Sequence, residues 1–287
     1  MKPTSQSDYT KRIERVIAAV ADSLEHDRDL PSTATLASIA NFSPFHFMRV
    51  YRALAGESLG TTVQRLRLAR AAHLLAASAA PISEVSGRVG FETPQAFARA
   101  FREHFGVAPS EARAANVANA SAIVAPAPSK PQPAIRVDVV TLKPFRVVVK
   151  RTEGVYAKLD EVYRNLFEWM AKRGALEAIE GIWGVPQQDR RDTPQANYQF
   201  DCLLATSAAL SAGEDVLLEE QGGGNYLRYL HEGSFDRLDE SHDTIFREIL
   251  AHPEWELRAA PILHEYLTDP EETAEMDLRS HIYVPVI

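Results

Sequence analysis

The sequence is poor in the features that staple, span or catalyse. Among 287 residues there is one cysteine, Cys202, which excludes an internal disulfide framework and any multi-cysteine zinc site. No run approaches the roughly 18 uninterrupted apolar residues of a membrane-spanning helix. The opening, MKPTSQSDYTKRIERV, has no apolar core behind its first charges, so no secretory leader is expected and the protein reads as soluble and cytoplasmic. The G-x-S-x-G elbow, the P-loop, the G-x-G-x-x-G turn and the H-E-x-x-H helix are all missing. The nine histidines are scattered without the spacing of a ligand set. No cofactor, metal or catalytic residue is therefore expected. Gly222-Gly223-Gly224 precedes a strand pattern and reads as a turn, not a phosphate cradle. Cys202, inside the apolar run Phe200-Asp201-Cys202-Leu203-Leu204, reads as a buried, inert thiol.

What the chain does have is length for two domains and an uneven charge. The net charge is −8. Residues 1–117 carry 14 basic and 11 acidic side chains, whereas residues 118–287 carry 17 and 28. Halves of opposite sign suggest different partners for each. Between them, residues 114–134 hold prolines 126, 128, 131 and 133 and only one charge, Lys130. Alternating proline sustains neither helix nor ladder, so residues 116–134 read as an Ala/Pro-rich extended tether. The expected division is 1–115, the linker, and 135–287.

The first part is helical and duplicated. Tyr9, Ile13, Val16, Ile17, Val20 and Leu24 fall at helical spacing. Ser43-Pro44 before FHFMRVYRALAG and Thr93-Pro94 before QAFARAFREHFG then match fifty residues apart, pairing Phe47 with Phe97, Arg49 with Arg99, Arg52 with Arg102 and Gly56 with Gly106. Ser or Thr followed by Pro is a helix start, because the hydroxyl accepts an orphan N–H and proline lacks one that would have no partner. A short helical pattern and a tight turn precede each start. The reading is two helix-turn-helix units in an all-α domain, each with a second helix suited to the major groove.

Residues from about Tyr9 to Arg113 resemble the DNA-binding domain of AraC/XylS-type transcription regulators. The resemblance rests on Val89-Gly90-Phe91, Phe97-Ala98-Arg99-Ala100-Phe101 and Gly106-Val107-Ala108-Pro109, with Leu59 and Ser86 as mild departures from common proline and alanine. It implies base-reading positions at Phe45, Met48 and Arg49 and at Pro94, Gln95, Ala98 and Arg99. Arginine suits guanine O6/N7 and glutamine suits adenine N6/N7; a surface salt bridge is the alternative for Arg49 and Arg99. Arg52 and Arg102 read as backbone contacts.

The second part holds an unrelated duplication. EGVYAKLDEVYRNLF at 153–167 matches EGSFDRLDESHDTIF at 232–246, each preceded by a strand pattern and followed by a helix and two more strands. The unit is β-α-β-β, repeated, and the expected fold is an α+β domain with two helices on a combined antiparallel sheet. Residues 135–287 resemble the GyrI-like effector-binding domain through the EG-aromatic turn, His264-Glu265-Tyr266-Leu267-Thr268-Asp269-Pro270 and the ending Ile282-Tyr283-Val284-Pro285-Val286. The resemblance implies an amphipathic, often cationic, small-molecule effector with Glu265 as charge partner. Independently, Leu263, Glu265 and Leu267 share one face of a strand, and a carboxylate among leucines needs a cation or donors. Trp183, Tyr156 and Tyr229 are candidate aromatic contacts, with plain core as their alternative. Arg258 pairing or solvation is the alternative for Glu265.

Together these expectations describe a regulator of multidrug or stress response. It binds double-stranded DNA and a small-molecule effector, works with RNA polymerase and acts as a monomer, because paired units in one chain already reach two grooves. Two other readings stay open: a GyrI-like small-molecule hydrolase using Glu265 as base, and a protein-binding module acting on a partner such as DNA gyrase.

Overall fold

The computed structural model describes residues 6–114, 135–154, 158–252 and 254–287. The linker at 116–134, Tyr156 and the Phe45 side chain lie outside the described part. The chain gathers into two compact units, one of residues 7–44 and 54–114, the other of residues 45–53 and 135–287.

In the helical unit, α1 (Gln6–Glu25) buries Tyr9, Ile13, Val16, Val20 and Leu24, as their spacing requires. It is followed by α2 (Thr33–Ile39), α4 (Leu59–Ala77), α5 (Ile82–Arg88), α6 (Pro94–Phe105) and α7 (Pro109–Ala114). Hydroxyl caps start three of these. Ser32 accepts from the Thr35 amide, Ser58 from Thr61 and Thr93 from Ala96, each at 3.1 Å. Gly106 stops α6 with φ 76°, its N–H bonded to Arg102 O at 2.8 Å. The turns after α2 and α5 use left-handed residues at matching places, Asn41 with φ 53° and Gly90 with φ 80°. At Gly90 a Cβ would also lie 3.0 Å from the Arg67 guanidinium. Leu68, Ala71, Leu75, Val85, Val89, Phe97 and Phe101 form one core, in which Phe97 meets Phe91 and Phe101 edge-on at 5.4 and 5.5 Å.

The other unit is built on one antiparallel sheet. Its strands are β1 (Asp138–Leu142), β2 (Phe145–Glu153), β3 (Ile179–Pro186), β4 (Gln199–Thr206), β5 (Leu217–Gln221), β6 (Gly224–Glu232), β7 (Leu263–Tyr266) and β8 (Arg279–Val286). Their order is β1-β6-β8-β7-β3-β4-β2-β5. With α8 (Leu159–Ala171) after β2 and α9 (Leu238–Ala251) after β6, the duplicated β-α-β-β unit is present, extended by one strand in each copy. Those added strands are exchanged. β1 pairs with β6 of the second copy and β5 pairs with β2 of the first. The order maps onto itself when the copies are interchanged, so the pseudo-twofold axis passes between β3 and β7.

Alternation gives the sheet two different faces. Val148, Phe200, Cys202 and Leu204 face α8 and pack with Val162, Leu166 and Met170. Val147, Val149, Trp183, Val185, Leu203, Tyr226, Leu263 and Tyr283 form a separate apolar cluster on the other face. Cys202 is buried, and burial pushes its thiol up to about 12, so it stays protonated. At Gly184 no side chain fits, because a Cβ would lie 2.4 Å from Phe200 Cζ. The helix α3 (Pro44–Ala55) contributes residues 45–53 to this unit.

Candidate DNA-reading helices and effector face

The two helices that match in sequence present their side chains differently. On α6 the core face is Phe97, Ala100 and Phe101, which leaves Pro94, Gln95, Arg99 and Arg102 exposed and Ala98 half-buried. The Arg99 side chain is 82% exposed and donates through Nε to Glu103 Oε1 at 2.8 Å. The exposed salt bridge is thus present on α6. It spans one helical turn in open solvent, so a guanine edge or phosphate can displace it at little cost.

On α3, Phe47, Val50 and Tyr51 are fully buried as the apolar face requires, while Met48 is half-buried. The opposite side of the helix is not free. Arg49 is only 2% exposed. Its Nη2 donates to the Gln188 carbonyl at 3.1 Å, and its Nε points at His242 Nδ1 at 3.4 Å. Arg52 donates to Asp192 Oδ1 at 2.5 Å and lies 3.7 Å from Asp189 Oδ2. His46, 1% exposed, donates from Nε2 to the Arg258 carbonyl at 2.9 Å. Neither the open arginine expected at Arg49 nor a surface salt bridge is what the structure shows there. The reason is that the sheet unit supplies acceptors at the spacing of one helical turn, which no pattern within α3 discloses.

Around this seat lies a polar cluster that sequence reading missed. His242 and His264 are both buried and their Nε2 atoms stand 2.8 Å apart. Asp239 lies 3.6 Å from His242 Nδ1, one turn before it on α9. Arg191 bridges Asp189 and Asp243, each at 2.7 Å. Burial drives both imidazoles downward, and for His242 the Arg49 charge adds to this against the pull of Asp239. Burial works to raise the Asp239 carboxyl, but a protonated His242 and then the Arg49 and Arg191 charges outweigh it and hold Asp239 well below the usual carboxylate range. Asp239 and His242 were visible only as part of the repeated segment LDESHDTIF, and their partners lie far off in sequence: Arg49 is 193 residues before His242, and His264 is 22 after it.

The effector candidates separate by face. Trp183 and Glu265 are register partners across the β3/β7 pair at the pseudo-twofold axis. Trp183 packs in tilted contact against Phe145, with ring centroids 4.8 Å apart, and Tyr283, at 5.4 Å. Glu265 Oε2 accepts from the Tyr283 hydroxyl at 2.6 Å and meets His281 Nδ1 at 3.0 Å. Burial, and then the neighbouring carboxylate, push the Tyr283 phenol well up, so it remains a donor. Glu265 has no arginine or lysine partner among the described residues. Arg258, the cation weighed for it, instead lies over the Tyr226 ring at 4.9 Å. Tyr229 does not join this face. It pairs in register with Ile282, one residue out of phase with Arg228 opposite Tyr283, so its side chain leaves on the other side of the sheet.

With this geometry established, comparison with known proteins decides the assignment. Residues 136–287, more than half the chain, match the profile of the GyrI-like small molecule binding domain. The chain belongs to that family. Residues 36–115 match a helix-turn-helix domain profile. The right origin-binding protein of Escherichia coli K12 is 22% identical over 92% of this chain and 95% of its own length. The multiple antibiotic resistance protein MarA of the same organism is 28% identical over 38% of this chain and 87% of itself. The transcriptional regulator Rob of Salmonella typhimurium is 31% identical over 30% of each chain. Among solved structures, the EcmrR–DNA complex matches 53% of this chain and 57% of that one with TM-score 0.46 and 10% identity. The GyrI-like chain is thus a ligand-sensing transcription regulator, an AraC-type DNA-binding domain joined to a small-molecule-binding domain. No described helix is long and apolar enough to cross a membrane.

Proposed function

We propose that this regulator responds to a cationic, amphipathic small molecule held on the apolar sheet face, with Glu265 as its charge partner and Trp183 as its aromatic wall. The observation that carries the reading is the Glu265 carboxylate, partly buried beside Trp183 and without a permanent cation. Among the described residues, His281 and Tyr283 attend it. A partly buried carboxylate attended by a phenol and an imidazole gains from an incoming positive charge, and the indole face gains from the same cation. Phe145 and Tyr283 extend the aromatic surface.

On the DNA side, α6 supplies Gln95 and Arg99 to base edges and Arg102 to the phosphates, with Pro94 and Ala98 in apolar contact. Phe45, Met48, Arg49 and Arg52 of α3 take the corresponding roles in the adjacent groove. Two reading helices in one chain match the two-groove requirement without a dimer, so the protein acts as a monomer and meets RNA polymerase at the promoter. It acts by binding and not by turnover.

Calorimetric titration with an aromatic quaternary ammonium tests the effector site. Glu265→Gln is expected to weaken binding by about tenfold or more, the worth of a charge-assisted contact in a partly buried site. A neutral isostere of the ammonium should lose affinity for the native protein but not for the variant. Equal affinity of native protein and variant for the ammonium would remove Glu265 from the site.

One geometric feature favours a second reading. Glu265 with a phenolic donor 2.6 Å away is also a base and acid pair suited to hydrolysis of a small electrophile. Turnover of a reactive ester by the native protein, abolished in Glu265→Gln, would support the hydrolase.

A further inference from the structure

The seat of α3 is polar, buried and incompletely satisfied. His46 Nδ1, Arg52 Nε, Asp192 Oδ2, His264 Nδ1 and Arg258 Nε and Nη2 are all buried without a hydrogen-bond partner. They belong to the residues that hold α3 or touch those that do. What holds α3 here includes polar contacts, in which one acceptor can replace another, and not apolar packing alone.

The groups that hold α3 also resemble those it would meet on DNA. Arg49 is engaged by a carbonyl oxygen and an imidazole nitrogen, Arg52 by carboxylate oxygens. Guanine offers a carbonyl oxygen and a ring nitrogen, and the backbone offers anionic oxygens. We infer that the sheet unit is an intramolecular competitor of DNA for α3, with Gln188 and His242 standing in for a base edge and Asp189 and Asp192 for phosphates. This rests on the reading of Arg49 and Arg52 as DNA contacts. With α3 seated, only α6 is open to a duplex, and release of α3 converts one-helix binding into two-helix binding.

His242 is the release point. With Arg49 Nε–H aimed at its Nδ1, His242 must carry its proton on Nε2 and donate to His264, which leaves the His264 Nδ1–H as the orphan observed. Asp239 lies beside the same Nδ1. A proton at that nitrogen turns toward Asp239 and confronts the Arg49 guanidinium with a like charge. The charged and titratable groups around the imidazole are Arg49 from α3, Asp239 and Asp243 from α9, His264 from β7, His231 from β6, and Asp189 and Arg191 from the segment after β3. Seated, His242 is held below its ordinary value by burial first, then by Arg49. His46, pushed down to about 4 by burial, acts in the same direction. The seated state therefore binds fewer protons than the released one. Seating is complete above the ordinary histidine value of about 6.5 and is lost as pH falls below it.

The test measures affinity of the full chain for a duplex recovered by selection from a random pool, at pH 8.0 and 5.5. Asp192→Asn removes the carboxylate that holds Arg52 without touching a DNA-reading residue. It is expected to tighten binding about tenfold at pH 8.0, and this advantage should shrink to near unity at pH 5.5 as the native protein releases α3 unaided. Hydrogen exchange at α3 amides, corrected for intrinsic rates, should rise in Asp192→Asn at pH 8.0 with α6 unchanged, which separates release from unfolding. Unchanged affinity in Asp192→Asn, a gain independent of pH, or loss of protection throughout the helical unit overturns the inference. Arg99→Ala in the native background keeps the two readings apart. If it weakens binding while Asp192→Asn does nothing, competition fails and the DNA-reading assignment stands. If it changes nothing, that assignment has failed.

Discussion

Phe97→Ala is expected to lower the stability of the helical unit by about 3–5 kcal/mol, the range for truncating a fully buried phenylalanine. Phe97 is 0% exposed and joins Phe91 to Phe101 in the core. It is also the core residue that fixes the roll of α6, so its loss should weaken DNA binding beyond what the unfolded fraction explains. Urea unfolding followed through amides of α4 to α7 measures the first effect, and the sheet unit serves as internal reference because its transition should not move. A loss below about 1 kcal/mol would mean that the aromatic row is not the core of this unit.

The second large effect concerns recognition. Arg99→Ala is expected to weaken binding to a selected duplex by roughly 5- to 150-fold and to relax preference at one base position, as for an arginine bidentate to guanine. Arg102→Ala should instead weaken all sequences alike and reduce the salt slope by about one. Binding measured on single-base variants of the duplex, at two salt concentrations, distinguishes them. If Arg99→Ala lowers affinity equally for every base variant, Arg99 contacts phosphate and the base readout lies elsewhere on α6.

Much of the architecture was legible because its signals are local. The matched Ser-Pro and Thr-Pro starts placed α3 and α6, and the recurring EG-aromatic turn revealed the duplicated β-α-β-β units. Glu265 was singled out by the family resemblance, with its flanking leucines as independent support, and Trp183 proved to be its register partner. The added strands β1 and β5 escaped notice because each is an exposed edge of five residues whose partner is in the other copy. An exchange of that kind leaves no local period. Tyr229, a candidate aromatic contact, lies on the other side of the sheet for a related reason: phase along β6 is set by pairing with β8, which sequence spacing does not disclose.

Arg49 is the most instructive difference. By sequence it is the twin of Arg99, and helix geometry places both on the outward side of their helices. One is 82% exposed by side chain and the other 2% by residue. The difference arises from Gln188 and His242, which belong to the sheet unit and lie more than a hundred residues away, as do Asp189 and Asp192, which hold the neighbouring Arg52. An internal repeat predicts a shared local conformation, but the surroundings of each copy come from the rest of the molecule.

Selection of bound duplexes from a random DNA pool by the full chain, with and without a panel of cationic amphiphiles, measures the central claim most directly. The account expects a recovered sequence preference that depends on Arg99, a second block one helical turn away, and a recovered pool that changes when an active amphiphile is present. Retention of DNA without sequence preference, with a steep salt slope and no response to any amphiphile, would contradict it.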